Sequence, residues 1–129
     1  MTRSAVHTPN APAAVGPYSQ AICAGSFVFT AGQLGLDPAT GQLVGDAAGS
    51  QTAQALANIK AVLAAAGSGP AQIVKTTIFV ADIGSFAEVN AAYAAFFEAE
   101  GVTDPPARST VEVSGMPKNA LVQIETVAL

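Results

Sequence analysis

Cysteine, histidine and tryptophan are almost missing from this chain: one Cys, one His and no Trp in 129 residues. A single cysteine, Cys23, excludes an intrachain disulfide framework, and with one histidine no Cys/His metal site can be assembled. Charge is scarce too, at 11% of residues, and basic charge is scarcest, with five Lys and Arg against nine Asp and Glu. A net charge of −4 with no basic cluster argues against a nucleic-acid binder, which needs a positive patch. No apolar stretch approaches the ~18 residues that a membrane helix requires. The opening Met1-Thr2-Arg3-Ser4-Ala5-Val6-His7 lacks the apolar run of a signal peptide, so a reducing, cytoplasmic setting is expected.

What is abundant is apolar surface. Half of the residues are hydrophobic, and the mean hydropathy of +0.42 is high for a soluble monomer. Without a membrane segment, that excess points to burial between subunits, although two alanine-heavy helices account for part of it. The length fits one domain, residues 1–129, with no repeat or linker.

Asn10 to Pro17 carries two prolines and is expected to be an extended arm. Tyr18 to Cys23 and Ser26 to Thr30 are expected to be short strands around a hairpin turn at Ala24-Gly25. Asp37-Pro38-Ala39-Thr40-Gly41 is a turn signal. Leu56, Ile59 and Leu63 recur at helical spacing and predict a helix over Ser50 to Ala66, with Gly67 as its stop. Ile73 to Ala81 is a β-branched strand, with Val74, Thr76, Ile78 and Val80 expected on one face. Ser85-Phe86-Ala87-Glu88 has the pattern of a capping box. It opens a second helix expected to bury Phe86, Val89, Tyr93, Phe96 and Phe97 and to end at Gly101. Arg108 to Ser114 and Ala120 to Ala128 are expected to pair with each other. Strands, helix, strand, helix, strands is the order of an α+β fold with two helices on one sheet.

Alternation in the last two strands gives each an apolar face, Val111 with Val113 and Val122 with Ile124. The opposite faces carry Arg108, Thr110 and Glu112, and Gln123 and Glu125. Arg108 is one of two arginines; the other, Arg3, lies in an N-terminal stretch expected to be mobile. Arg108 follows Pro105-Pro106 and opens a strand, so its backbone is fixed and its side chain aimed. A guanidinium is a flat fork that matches a carboxylate or phosphate in bidentate fashion. Spacing alone leaves two readings open, recognition of a small anion or an ion pair with Glu112 or Glu125.

Other chemistry is thin. His7 sits in the N-terminal arm, far from a natural Ser/His or Cys/His arrangement. Cys23 has no basic neighbour in sequence and is expected to be an inert, partly buried thiol. The glycines from Gly32 to Gly45 match neither a P-loop nor a dinucleotide fingerprint. Tyr18 could cap a pocket or be a strand aromatic, and Asn90 could serve a site or face solvent on an alanine-rich helix.

Several stretches, taken in order, resemble one family. Asn10-Ala11-Pro12 with Gly16-Pro17-Tyr18-Ser19-Gln20-Ala21 is similar to the N-terminal signature of the Rid proteins, the YjgF-type reactive intermediate deaminases. Thr30-Ala31-Gly32-Gln33, Val74-Lys75-Thr76-Thr77, Phe86-Ala87-Glu88-Val89-Asn90, Pro106-Ala107-Arg108-Ser109 and Met116-Pro117-Lys118 match its later motifs. The resemblance implies a chorismate-mutase-like α+β subunit, a mixed sheet with two helices on one face. It also implies a homotrimer with ligand sites in clefts between subunits. Archetypal members hydrolyse small 2-imino acids released by PLP-dependent enzymes to 2-keto acids and ammonia, without metal or cofactor. By the same resemblance Arg108 grips the substrate carboxylate, and Tyr18 and Asn90 line the cleft. The backbone of Gly32 adds a polar contact, and the Thr110 carbonyl lies near the imine nitrogen.

Three positions depart from that pattern. Ala31 stands where a serine is usual, and Thr110 where many members have cysteine. Gln123 occupies the place of the glutamate that positions and activates the attacking water. A glutamine accepts a hydrogen bond from water but does not take its proton, and general-base help is worth ~10²–10⁴-fold. Glu125 is two residues along the same strand, about 6.5–7 Å away, and is not assigned that role. The resemblance therefore implies an imine deaminase of reduced activity. The alternative is a non-catalytic protein that binds or senses small carboxylates in the same cleft.

Overall fold

The structure, a computed structural model, describes residues 2–129. Its strands are β1 (Arg3–Val6), β2 (Ala21–Ala24), β3 (Phe27–Thr30), β4 (Gln33–Leu34), β5 (Ile73–Val80), β6 (Ala107–Glu112) and β7 (Val122–Ala128), and its helices α1 (Ala48–Ala65) and α2 (Phe86–Ala99). One seven-stranded sheet has the order β1-β2-β3-β7-β5-β6, with β4 also on β7. Only β5 and β6 are parallel; every other pairing is antiparallel. Both helices pack on one face, the α+β arrangement expected. The core between the layers holds Leu56, Ile59, Val62 and Leu63 of α1 against Ile78, Val80, Val122 and Ile124, each fully buried.

Both helices end as their glycines require. Gly67 and Gly101 have φ of +78° and +72°. The amides that follow close onto carbonyls five residues back, Ser68 onto Leu63 at 2.8 Å and Val102 onto Phe97 at 3.0 Å. The start of α2 differs from expectation. Ser85 makes no side-chain cap, because it ends a 3-10 turn (Ile83–Ser85) with near-helical angles, φ −85° and ψ 5°. Its hydroxyl donates to the Asp82 carbonyl, and Glu88 instead accepts from the Gly49 amide at 2.6 Å, capping the other helix.

Three further expectations are corrected. Arg108–Ser114 and Ala120–Ala128 do not pair with each other: β5 lies between β6 and β7 and bonds to both. The unit β5-α2-β6 explains it, since a helical crossover returns the chain parallel to the strand it left. Arg3 is not in a loose segment but in β1, opposite Ala24 of β2. Strand β2 begins at Ala21 rather than at Tyr18, which precedes it in a tight turn closed by its own amide onto the Gly16 carbonyl at 2.8 Å.

Sidedness also departs from the simple alternation. A register shift between Ile73 and Lys75 turns Ile73 inward and leaves Val74 exposed. Thr76 and Ile78 pair with Arg108 and Thr110, so those two face the helix layer and Val111 lies on the opposite, bare face, 44% exposed. Phe86, expected to be buried, is 39% exposed beside Arg108. The bare face also carries Phe27 and Phe29, rings 6.2 Å apart and both exposed, with Gln123 and Glu125 farther along.

Candidate functional site

Strand β6 lies at the sheet edge, so a helix-facing side chain at its start emerges beside α2 rather than beneath it. Arg108 does so. Its Nη1 donates to Asn90 Oδ1 at 2.6 Å, and its guanidinium carbon lies 4.8 Å from the Tyr93 ring centroid and 5.6 Å from that of Phe86. Tyr93 is buried and donates from its hydroxyl to Thr76 Oγ1 at 3.1 Å. Burial raises the Tyr93 phenol above its ordinary 10.0, against smaller lowering effects from the Thr76 hydrogen bond and the Arg108 charge.

The ion-pair reading of Arg108 is overturned. Among the described residues the one carboxylate–cation pair is Lys60 with Glu100, at 2.8 Å. Glu112 accepts instead from the Ile83 amide at 2.9 Å, and Glu125 projects from the other face of the sheet. Asn90 does not face solvent alone but meets the arginine. Two residues along the same face, Thr110 Oγ1 is buried with no hydrogen-bond partner. Arg108 and Asn90 form one wall of a cavity of about 570 Å³ that is otherwise mainly apolar, with Tyr93, Phe97, Val102 and Pro106 among its lining and Glu98 at its edge.

Tyr18, Ala31, Gly32 and Gln123 gather elsewhere. The run from β3 to β4 breaks at Ala31-Gly32, beside β7, and Gly32 lies against Gln123: a Cβ added there would sit 2.6 Å from Gln123 Cδ. Glycine is needed here for space. Tyr18, 51% exposed, shares a second cavity of about 650 Å³ with Ala31, Ser19, Phe29 and Arg3. Gln20 holds this region in place: buried, it accepts from the Thr8 amide at 2.7 Å and donates to the Pro12 carbonyl at 2.9 Å. Sequence reasoning placed Gln20 within the N-terminal motif and Tyr93 in the core of the second helix, but gave neither a part in the site. A glutamine at the mouth of an apolar strand was the available signal for the first, and none marked the second.

The seven candidate residues thus fall into two groups. Arg108, Thr110 and Asn90 lie on the helix side of the β6 edge, and Tyr18, Ala31, Gly32 and Gln123 lie toward the bare face around β7. The expected adjacency of Arg108 and Gln123 on one face is corrected: pairing of Ile124 with Ile78, and of Ile78 with Thr110, sends Gln123 out on the side opposite Arg108.

Residues 8–129 match the family described as Endoribonuclease L-PSP. The chain is 48% identical over 124 residues to the 2-iminobutanoate/2-iminopropanoate deaminase of Salmonella typhimurium, covering 96% of this chain and 95% of that one. The chain belongs to the Rid (YjgF) family. A RutC family protein of Haemophilus influenzae is 46% identical over 129 residues, covering 100% of this chain and 98% of the relative. The crystal structure of the Escherichia coli YjgF gene product superposes with a TM-score of 0.93 at 45% identity, over 98% of each chain. Escherichia coli TdcF, solved with bound serine, gives 0.93 at 39% identity, again over 98% of each. The chorismate-mutase-like fold implied by the motifs is the fold these Rid structures share with this chain. No helix among the described residues is long and apolar enough to cross a membrane.

Proposed function

We propose that this Rid chain hydrolyses small 2-imino acids to 2-oxo acids and ammonia, in clefts formed where copies of it meet. The observation that carries the reading is Arg108, an aimed guanidinium that pairs with no carboxylate among the described residues, braced by Asn90 and two rings on a cavity wall. Such a fork suits the carboxylate of a small acid. The name of the Salmonella relative supports imino acids of three and four carbons. Water adds to the iminium carbon, the nitrogen takes a proton, and the carbon–nitrogen bond breaks to leave the 2-oxo acid and ammonium. The iminium carbon is already electrophilic, so the step calls for no cofactor.

In this reading Arg108 holds the carboxylate and the Thr110 carbonyl lies near the nitrogen. A neighbouring copy brings Tyr18, Ala31, Gly32 and Gln123. The two-group geometry supports shared sites, since one copy presents the groups on opposite sides of its sheet. The uncovered apolar face around Phe27, Phe29 and Val111 supports assembly, in a homotrimer as the resemblance implies. Gln123 orients the water through its amide oxygen and leaves it protonated, so turnover is slower than a glutamate would allow. Ribonuclease chemistry finds little support in a chain of net charge −4 without a basic cluster.

Gln123 also favours a second reading, in which the cleft binds small carboxylates without turning anything over. A threonine dehydratase that uses PLP supplies the imine, and its decay is followed with and without this protein. Faster decay that Arg108→Ala removes supports the enzyme. No acceleration by the assembled protein rejects it, and calorimetric binding of 2-oxobutanoate that depends on Arg108 would then support the binder. Absence of both rejects the site.

A further inference from the structure

We infer that Tyr93 is a positioning residue for Arg108, a fixed floor that holds the guanidinium in place before a ligand arrives. The inference rests on the proposed role of Arg108 and adds how that role is built. Three elements meet here: Thr76 on β5, Tyr93 on α2 and Arg108 on β6. The Tyr93 hydroxyl donates to the fully buried Thr76 side chain at 3.1 Å, which stops the ring from sliding along its own plane. Phe97 packs against the same ring, centroids 4.8 Å apart and tilted by 53°, which stops it from tipping. Arg108 lies over the ring face at 4.8 Å, a cation–π distance, and Asn90 Oδ1 takes one guanidinium donor at 2.6 Å, setting rotation within the plane.

Arginine has a long, freely rotating stem, and freezing it at the moment of binding weakens binding. Here the freezing is done by the fold. One donor is committed to Asn90, and no other hydrogen bond occupies the remaining N–H groups among the described residues. A ring beneath the cation does not compete for those donors, unlike a carboxylate, which would also cancel the charge. Tyr93 and its hydroxyl partner therefore fix the arginine without using up what the ligand needs. A core aromatic with no such role would pack as well with any neighbour above it.

Only two arginines are present, so the side-chain Nε–Hε region of a nitrogen–proton NMR spectrum reads Arg108 against Arg3. In the full chain the Arg108 resonance should be ring-current shifted. Tyr93→Leu should move it toward the position of a free arginine, leave Arg3 in place, and weaken calorimetric binding of 2-oxobutanoate by about 3- to 30-fold. Tyr93→Phe should keep the ring shift, increase Arg108 mobility in relaxation measurements and weaken binding by about 2- to 10-fold. A folded Tyr93→Leu protein with unchanged affinity and an unmoved Arg108 resonance overturns the inference. If Tyr93→Leu does not fold, Tyr93→Phe decides, and unchanged mobility with unchanged affinity overturns it. Undiminished binding by Arg108→Ala instead sinks the proposed role of Arg108 itself, whatever Tyr93 does.

Discussion

Arg108 and Gln123 leave the same sheet on opposite faces, with β5 between their strands. Thr76 pairs with Arg108 and faces the helices; Phe79 pairs with Gln123 and faces away. Two strand spacings put their backbones at least about 9.5 Å apart across the sheet, and the side chains then diverge. A three- or four-carbon ligand cannot bridge them within one copy. For both to act on one molecule they must come from different copies, so the proposed reaction requires assembly.

Charge placed on the bare face should therefore abolish both assembly and binding. Phe29→Glu puts a carboxylate on a face where Phe29 is 46% exposed and its ring lies tilted beside that of Phe27. Sedimentation should show the mass of several chains for the wild type and of one chain for the variant. Circular dichroism should be unchanged, because the side chain points away from the core. Retained 2-oxobutanoate binding by a monomeric variant would mean that the site is complete within one copy.

On the proposed reaction, a carboxylate at position 123 should raise turnover. Gln123→Glu changes one amide into a base on an otherwise similar side chain, and the expected gain in imine hydrolysis is about 10- to 1,000-fold. A plot of rate against pH should then acquire an acidic limb that the wild type lacks. An unchanged rate would show that Gln123 does not face the attacking water.

The contact between Gly32 and Gln123 predicts a paired effect. Gly32→Ala places a methyl 2.6 Å from Gln123 Cδ, so the glutamine side chain must swing away. Overpacking of this kind typically costs 1–3 kcal/mol, roughly, unless the side chain finds another position. Gln123→Ala in the same protein should recover the thermal midpoint. Additive losses in the double variant would show that the two residues are not in contact.

Glu88 caps α1 from α2, accepting from the Gly49 amide at 2.6 Å. No side chain at Ala47 can do so. Glu88→Ala should reduce stability by about 0.5–2 kcal/mol, in the range of lost helix caps, read as a lower urea midpoint with an unchanged slope.

Tyr93 should make the stability of the fold depend on alkaline pH. Its phenol is raised by burial above 10.0, so above that pH the unfolded chain loses a proton that the folded chain retains. Stability is then constant with respect to this group below about pH 10 and falls as pH rises through the folded value. Tyr93→Phe should remove that part of the decline, measured as the denaturant midpoint between pH 8 and 11.

Much of this protein was decided by the chain itself. The spacing of Leu56, Ile59 and Leu63, the glycines after each helix and the Asp37 turn act through neighbours a few residues away. Both helices and strands β5 to β7 formed within about two residues of their expected places, whereas β1 and β4 were not foreseen and β2 starts three residues late. The ordered motifs carried the family, and composition pointed to apolar surface in need of a partner. Which strand lies beside which is a different kind of information. Alternation along β6 separates Val111 from Thr110 but does not say which of them meets the helices. That was settled by β5, a strand nearly thirty residues earlier, pairing with β6 on one edge and β7 on the other. The same pairing set Arg108 on Tyr93, freed it of Glu125 and turned Gln123 away. Local periodicity is a property of the chain, whereas sidedness and convergence depend on contacts between distant segments, and only the tertiary structure brings those together.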